Sequence, residues 1–586
     1  MEEQTKTGLM KIEINGKPHE TSQKYLLPAL EEAGFVIPKL CNHPDFLPFA
    51  NCRLCVVDVN GKIKTSCNTE VAEGMAVRTD TEQVIEARRH NMELILSNHP
   101  LDCDYCYKNM HCELQTLAEK ITKTTRYIGA ERKIAKDESS SAITRDMEKC
   151  ILCGRCIAAC ERAGVCLLDY TKRGFNTSIA PPLGLKLAET SCIGCGQCAL
   201  VCPTAAIIER DDRSDVYAMI NDNDKFVIAQ VAPSLRASIG EEFGLKPGSI
   251  STGRLIASLK AVGFDAVCDT SIGADFTIME EATELLSRIK EREEGKTPAL
   301  PMFTSCCPSW VSLVEEFYPE LIPNLSTTKS PHEILGVILK TYYAEKNGIS
   351  ADKIAVVSIM PCTSKKAEAK KIEHKVMGAP AVDAVLTVRE TARMIREAGI
   401  DLKKIKEEEF DSLLQNASGA GQIFGTTGGV MEAALRTADY LLSGKNNECC
   451  LEFRETRGMS GIKEAEYSLG AKKIRVAVAN GNSNAKILLE KIKSGEESFD
   501  FVEVMACPGG CSGGGGQPIP GNRKIVEERM KALYEVDRAT PIRRCHDNPI
   551  VKSVYSYFLE KPGSEMAEKL LHTSYSKKKK FMIKQQ

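Results

Sequence analysis

Residues 192–203 read CIGCGQCALVCP, and residues 150–160 read CILCGRCIAAC. Both follow the spacing Cys-x2-Cys-x2-Cys-x3-Cys, so the chain repeats itself here. In paired runs of this kind three thiolates hold one 4Fe–4S cubane, and the fourth crosses to the other cluster. One cluster therefore takes Cys150, Cys153, Cys156 and Cys202, and the other takes Cys192, Cys195, Cys198 and Cys160. The exchange ties two redox centres close together, as a path for electrons requires. The first run departs from the pattern in one place, with Glu161 where proline is usual. Cys166 lies outside the spacing and is expected to pack.

Towards the N-terminus the cysteines continue. Cys41, Cys52, Cys55 and Cys67 are spaced C-x10-C-x2-C-x11-C in a β-rich stretch opened by KIEING, which suits a 2Fe–2S cluster. A zinc ribbon also takes four thiolates, but it usually pairs two CxxC knuckles and only one is present. Next comes His99-x3-Cys103-x2-Cys106-x5-Cys112 after a helical pattern, EQVIEARRHNMELILSNH. Three thiolates and an imidazole suit either a cluster or tetrahedral zinc, and spacing alone does not separate them. His90 and His111 are read as structural.

The chain's bulk properties agree with a redox protein. Its 25 cysteines accompany no apolar leader in MEEQTKTGLMKIEING, so metal and redox chemistry are favoured over a disulfide framework. The 77 Lys and Arg nearly cancel 79 Asp and Glu, which gives no global field for nucleic acid or a membrane surface. No apolar run reaches about 18 residues, so no membrane span is expected. The expectation is a cytoplasmic protein of several domains.

Beyond residue 220 the pattern changes. Apolar strands such as KFVIAQVAPS, ALPMFTSCCPSW, KIAVVSIMPCTSK and FDFVEVMACPGGC each run into a loop and then a helix. Such alternation predicts parallel sheets covered on both faces, with ligands at the carboxyl ends of the strands. Cys306, Cys307, Cys362, Cys507 and Cys511 all have that address. Four of the five thiols suffice for one more 4Fe–4S cluster, and a fifth beside a metal centre is a proton carrier. The alternative is buried structural cysteine, the usual state of a lone thiol. Cys268, Cys449, Cys450 and Cys545 are read that way. The basic tail at 577–580 is read as a solvated end.

The strings TSCCPSW (304–310), MPCTSKKAE (360–368) and MACPGGCSGGGGQP (505–518) resemble the three signature segments of iron-only (FeFe) hydrogenases. The order of the N-terminal motifs resembles the multi-cluster members. The resemblance implies a 2Fe–2S β-grasp domain at 1–78, a 4Fe–4S domain with one His and three Cys ligands at 79–138, and a two-cluster ferredoxin-like α+β domain at 139–220. It implies an α/β catalytic domain at 221–586, built as two doubly wound parallel-sheet lobes. The cofactors implied are one 2Fe–2S cluster, three accessory 4Fe–4S clusters and an H-cluster, a cubane joined to a two-iron unit bearing CO, cyanide and a dithiolate amine.

By the same resemblance, Cys307, Cys362, Cys507 and Cys511 ligate the cubane, with Cys511 as the bridge. Lys365 and the Ala232, Pro233, Ser234 segment receive the cyanides, and Met360, Met505 and Phe424 pack around the two irons. Cys306, Glu281, Ser326 and Glu284 form a proton path with Arg288 near its outer end. Glu281 and Glu284 stand at i, i+3, which by itself marks only a solvated helix face. His332 stands where glutamine is common in the family.

The activity implied is reversible oxidation of dihydrogen. The partners implied are ferredoxin, flavoprotein NAD(P)-linked subunits in a hetero-oligomer, and maturation proteins. No strand–GxGxxG–helix fingerprint is present, so NAD(P) or flavin would sit on a partner. The other readings are a stand-alone ferredoxin-dependent enzyme, a hydrogen sensor and a non-catalytic assembly relative. Assembly relatives lose the CC pair and the lysine motif that are present here, and no added signalling domain is evident.

Overall fold

The computed structural model describes residues 8–129, 134–411, 414, 417–470 and 472–578. The side chains of Cys449 and Cys450 lie outside the described residues, as do Lys579 and Lys580 of the basic tail.

Strands β1 (Met10–Ile14) and β2 (Lys17–Thr21) form a hairpin through Asn15-Gly16, whose φ values of 47° and 80° are those of the two-residue turn matching strand twist. With β3 (Val56–Val59), β4 (Lys62–Thr65) and β5 (Ala76–Arg78) they make a five-stranded sheet in the order β2-β1-β5-β3-β4. The helix Leu26–Glu32 buries Leu26, Leu27, Ala29 and Leu30 in the core with Ile12, Val57 and Val77. The helix Glu82–Ser97, capped by the Thr81 hydroxyl, leads to the next module. There Met92 and Leu96 pack with Leu114 and Ala118 of the helix Glu113–Ile121.

In the repeat, β6 (Ile143–Arg145) pairs antiparallel with β9 (Ile207–Glu209), and they flank the helices Arg155–Arg162 and Gln197–Val201 in the chain. A second antiparallel pair joins β7 (Asp169–Thr171) to β8 (Ser178–Ala180). Cys166, expected to pack, is exposed instead. It sits in a left-handed turn (φ 52°) whose amide reaches back to the Cys160 carbonyl, so its side chain is directed off the core.

The C-terminal half has two lobes. In the first, β10 (Phe226–Val231), β11 (Ala266–Asp269), β13 (Ile354–Met360) and β16 (Ala384–Thr387) are all parallel, in the order β11-β10-β13-β16. All seven residues of β13 are buried, as a strand covered on both faces must be. A short ribbon, β14 (Lys375–Val376) with β15 (Ala379–Pro380), lies between β13 and β16 in the chain.

The second lobe orders β12 (Met302–Phe303), β19 (Phe501–Met505), β18 (Lys472–Asn480) and β17 (Ile462–Leu469). Ile474, Val476 and Val478 of β18 enter one core and Ala477 and Ala479 another, so this strand too is buried on both sides. The edge strand β17 is antiparallel to β18 and alternates buried with solvated residues in IKEAEYSL. The carboxyl ends of β10, β12, β13 and β19 open onto one cleft between the lobes.

The repeat docks on that cleft from outside. The Thr363 hydroxyl donates to the Gly194 carbonyl (2.7 Å), the Ser364 hydroxyl to that of Ile193 (3.0 Å), and the Gln197 amide to that of Gly513 (2.9 Å). The glycine run 513–516 permits this contact. A Cβ on Gly515 would stand 2.2 Å from the Cys195 carbonyl oxygen, and one on Gly514 2.3 Å from that of Pro361. Gly515→Ala should therefore push the repeat off the catalytic half at a cost of about 1–3 kcal/mol. It would be read as a lower unfolding temperature, and an unchanged midpoint would show that this approach is not tight.

Candidate active site

Three short loops bring the cleft's thiols together. Cys306 and Cys307 follow β12, Cys362 follows β13, and Cys507 and Cys511 follow β19. Together with Ala232, Pro233, Ser234, Met360, Phe424, Met505 and Lys365 they line one cavity. Every candidate cleft residue outside the proton path is thus found in one place. His332, Pro331, Thr270 and Ala274 line it as well.

Charge on Cys362, Cys195, Cys307 and Cys511 is felt at Cys507, so the catalytic thiols and the repeat's Cys195 are near neighbours. Burial, then these neighbours, push Cys362 up to about 11 and Cys511 up to about 12. Four converging thiols that cannot shed their protons into an apolar wall fit a multi-metal cluster, which would supply the positive charge their thiolates need. Cys307 also accepts from the amides of Ala506, Ser309 and Trp310, the last two at the start of the helix Pro308–Phe317. The Gln517 amide ties the Cys511 carbonyl (2.9 Å) and the Ser234 hydroxyl (3.3 Å) together across the cleft.

Cys306 is raised by burial as the other cleft thiols are, but its next cause is the Glu281 carboxyl and not another thiol. Glu281 is fully buried on the long helix Ser271–Glu293, and burial followed by Glu284 pushes its carboxyl up to about 8. The Ser305 amide and the Ser326 hydroxyl face it and only hold that rise back, and neither makes a hydrogen bond of good geometry to it. Ser326 donates to Glu284 (2.8 Å), which pairs with Arg288 (2.6 Å) on the same helix. Arg288 also ties down the carbonyls of Ala299 (2.8 Å) and Leu325 (3.0 Å). The i, i+3 pair that spacing alone reads as a solvated face is therefore fully buried at Glu281 and half-buried at Glu284.

Sequence reasoning missed three partners. Glu368 accepts from the Lys365 ammonium (2.6 Å), which also donates to the Cys306 carbonyl (3.1 Å). Although burial opposes it, Glu368 holds Lys365 above its ordinary value. The i, i+3 spacing of the two in KKAE was a usable signal. Tyr575 donates to the Ser326 carbonyl (3.1 Å) from a half-buried place in an otherwise largely exposed tail, and nothing in TSYSKKKK marks it. Ser305, beside the CC pair, donates to the Thr328 carbonyl (2.9 Å).

The accessory thiols also converge. Cys150, Cys153, Cys156 and Cys202 line one cavity with Ile179 and Ile207. Cys198 is pushed up by burial and then by Cys195, Cys192 and Cys160, so the crossed grouping is the one brought together. In the first module Cys41 is linked with Cys52 and Cys55 with Cys67, which lowers Cys52 to about 6 and Cys55 to about 7. Cys106 lies near both Cys103 and Cys112. Burial lowers His99 to about 4, so its ring is neutral, and its buried Nδ1 has no hydrogen-bond partner. A neutral imidazole with an orphaned nitrogen suits a ligand.

Residues 225–515 match the family described as iron only hydrogenase large subunit, C-terminal domain, and residues 523–578 match iron hydrogenase small subunit. Residues 9–82 match a 2Fe-2S iron-sulfur cluster binding domain, 88–125 the NADH-ubiquinone oxidoreductase-G iron-sulfur binding region, and 149–206 a 4Fe-4S dicluster domain. The chain is 42% identical to the NADP-reducing hydrogenase subunit HndD of Solidesulfovibrio fructosivorans, over 98% of this chain and 100% of that one. It is 40% identical to iron hydrogenase 1 of Clostridium pasteurianum, over 90% of this chain and 92% of that one. The solved structure of apo FeFe-hydrogenase HydA1 from Chlamydomonas reinhardtii, in variant form, aligns with a TM-score of 0.56 and 41% identity. It covers 63% of this chain and 99% of that one.

Glu281 supplies a test that needs no turnover. Its folded value of about 8 lies above the ordinary 4.5, so between those values the folded chain holds a proton the unfolded chain lacks. Its contribution is full below about 4.5 and is lost as pH rises to about 8, then levels off. Glu281→Gln should remove that slope from the unfolding temperature of the catalytic half. A variant with the parent's slope would show that Glu281 is not held neutral.

Proposed function

The chain belongs to the iron-only (FeFe) hydrogenases and is a catalytic subunit of that class, and from this premise we propose a role for each side chain of its cleft. The observation that carries the reading is the convergence of five thiols and one lysine, from both lobes, on a single cavity. Cys307, Cys362, Cys507 and Cys511 would hold the cubane of the H-cluster, with Cys511 shared with the two-iron unit. Lys365 and Ser234 would receive the cyanides, and Met360, Met505 and Phe424 would keep water from the two irons. When bound, the H-cluster supplies the reversible heterolytic splitting of dihydrogen.

The remaining chemistry belongs to the side chains. Cys306 holds a proton at Sγ against an apolar wall and exchanges it with the Glu281 carboxyl. Because Glu281 is raised to about 8, it both gives and takes a proton near neutral pH. Ser326, which faces Glu281 and donates to Glu284, would relay between the two, and Arg288 fixes Glu284 at the outer end. Lys365 is kept charged by Glu368, so it donates hydrogen bonds to an anion in the cleft. Electrons travel through the N-terminal iron–sulfur domains, whose Cys192–Cys198 run lies against the loop of Cys362.

For partners, we infer an NAD(P)-linked flavoprotein in a hetero-oligomer. Support comes from the full-length likeness to a subunit named NADP-reducing and from the module shared with the NADH-ubiquinone oxidoreductase-G iron–sulfur region. No helix among the described residues is long and apolar enough to cross a membrane. The chain, made anaerobically with maturation proteins, should show infrared bands of bound CO and cyanide and take up hydrogen. Cys306→Ala should retain the bands and lose turnover by about 10²–10⁴-fold, the share of one positioned proton carrier. Adding an NAD(P)-linked flavoprotein should outpace ferredoxin alone as electron acceptor. Equal turnover with ferredoxin alone would favour the stand-alone reading.

A further inference from the structure

The tail beyond the helix Glu565–Leu571 carries none of the proton path's own groups, yet it runs along the segment that holds Ser326. The Lys329 amide donates to the Leu571 carbonyl (2.8 Å), the Thr573 amide donates to the Thr327 carbonyl (2.7 Å), and Thr328 faces His572 in an antiparallel bridge. His572 Nδ1 also lies 2.7 Å from the Thr327 hydroxyl. Farther out, the Lys578 amide donates to the Glu315 carbonyl (3.1 Å), and the Lys578 ammonium reaches the Ser312 hydroxyl (3.1 Å) and the Glu315 carboxylate (3.4 Å). Between these anchors stands Tyr575. Its ring packs against the core of Phe303, Trp310 and Leu325, and its hydroxyl donates to the Ser326 carbonyl (3.1 Å).

That bond lands on a particular peptide unit. The Ser326 carbonyl and the Thr327 amide share one rigid plane, and the Thr327 amide donates to Glu284 (3.1 Å). The Ser326 hydroxyl donates to the same carboxylate oxygen (2.8 Å). Tyr575 therefore grips one edge of a plane whose other edge binds Glu284. Hydrogen bonds in series polarise one another, so the phenol also strengthens the amide as a donor. Ser326 is fully buried, and without the phenol its carbonyl gains free energy by turning towards water. Such a turn carries the Thr327 amide and the Ser326 hydroxyl off Glu284 together. Burial holds the phenol above its ordinary value, and a carbonyl accepts its hydrogen bond, so Tyr575 keeps its own proton.

We propose that Tyr575 is a positioning residue: through the Ser326–Thr327 peptide it holds Glu284 at hydrogen-bond distance from the Ser326 hydroxyl. Its part in turnover rests on Ser326 and Glu284 carrying protons. Its hold on the peptide does not.

Amide hydrogen exchange of the chain without its two-iron unit reads the hold directly. Tyr575→Phe keeps the ring and loses the hydroxyl. It should speed exchange at the Thr327 amide by about two- to tenfold, the share of one neutral hydrogen bond. Lys578→Ala, which loosens the outer anchor, should exchange there at the parent's rate, because a partly exposed ion pair contributes little. Unchanged exchange in Y575F, or equal acceleration in both variants, would overturn the hold.

Hydrogen turnover by the loaded enzyme in H2O and in D2O reads its use. Y575F should turn over about two- to tenfold more slowly, with a larger solvent isotope effect than the parent. Ser326→Ala should fall further, by about 10²-fold. Tyr575→Phe on that background should slow nothing more, because the relay it serves is already gone. Losses that multiply in the double variant, or a Y575F enzyme with the parent's rate and isotope effect, would overturn the positioning role. Full turnover by S326A would instead count against the proton path itself, and the exchange result would still decide the hold.

Discussion

A thiolate does not survive in an apolar wall without a counter-charge, and the catalytic half gathers four thiols into such a wall from three separate loops. Burial alone drives each of them towards its neutral form, and each raises its neighbours further. This arrangement is unfavourable for a bare protein and favourable for one that carries a cluster, because the metal supplies the missing positive charge. The two lobes, the parallel strands that end at the cleft and the glycine run beside Cys511 all serve to hold these sulfurs at one point.

The same low dielectric divides the labour of the surrounding side chains. Cys306 and Glu281 share that low dielectric, and each is raised by burial first and by a neighbouring acid next, Glu281 for the thiol and Glu284 for the carboxyl. Lys365 would lose its charge under the same burial, and Glu368 prevents that at 2.6 Å. Glu284 differs again because Arg288, tied to backbone carbonyls, anchors it where the line of acids approaches the surface. Burial is common to all of these groups, and the neighbour each one faces, a thiol, an acid or a counter-charge, tells them apart.

Electron and proton routes meet the cleft through different surfaces. The repeat approaches through backbone carbonyls of 193–194 and 513, a contact that glycine makes possible by having no Cβ. The acids leave along the helix Ser271–Glu293, covered by the tail that carries Tyr575. The Cys362 loop faces the repeat, while Glu281 lies on a helix that runs from the first lobe's core (Ile272 to Met279) into the second's (Ala282, Leu285 and Ile289).

Much of this was legible in the chain. The crossed CxxCxxCxxxC runs, the apolar strands and the CC, PCTSK and CPGGC loops are local patterns, fixed by ligand spacing and by two-sided burial of parallel strands. These determined the fold class and the candidate cluster residues. The antiparallel edge strand β17, the exposure of Cys166 and the partners Glu368 and Tyr575 belong to the tertiary structure. They were not legible because a side chain's charge depends on what packs against it. Ser326 and Tyr575, 249 residues apart, meet only when the tail folds back along the segment 326–329. Sequence spacing marked the thiols that gather in the cleft and the repeat, and tertiary packing decided which charged groups stand beside them.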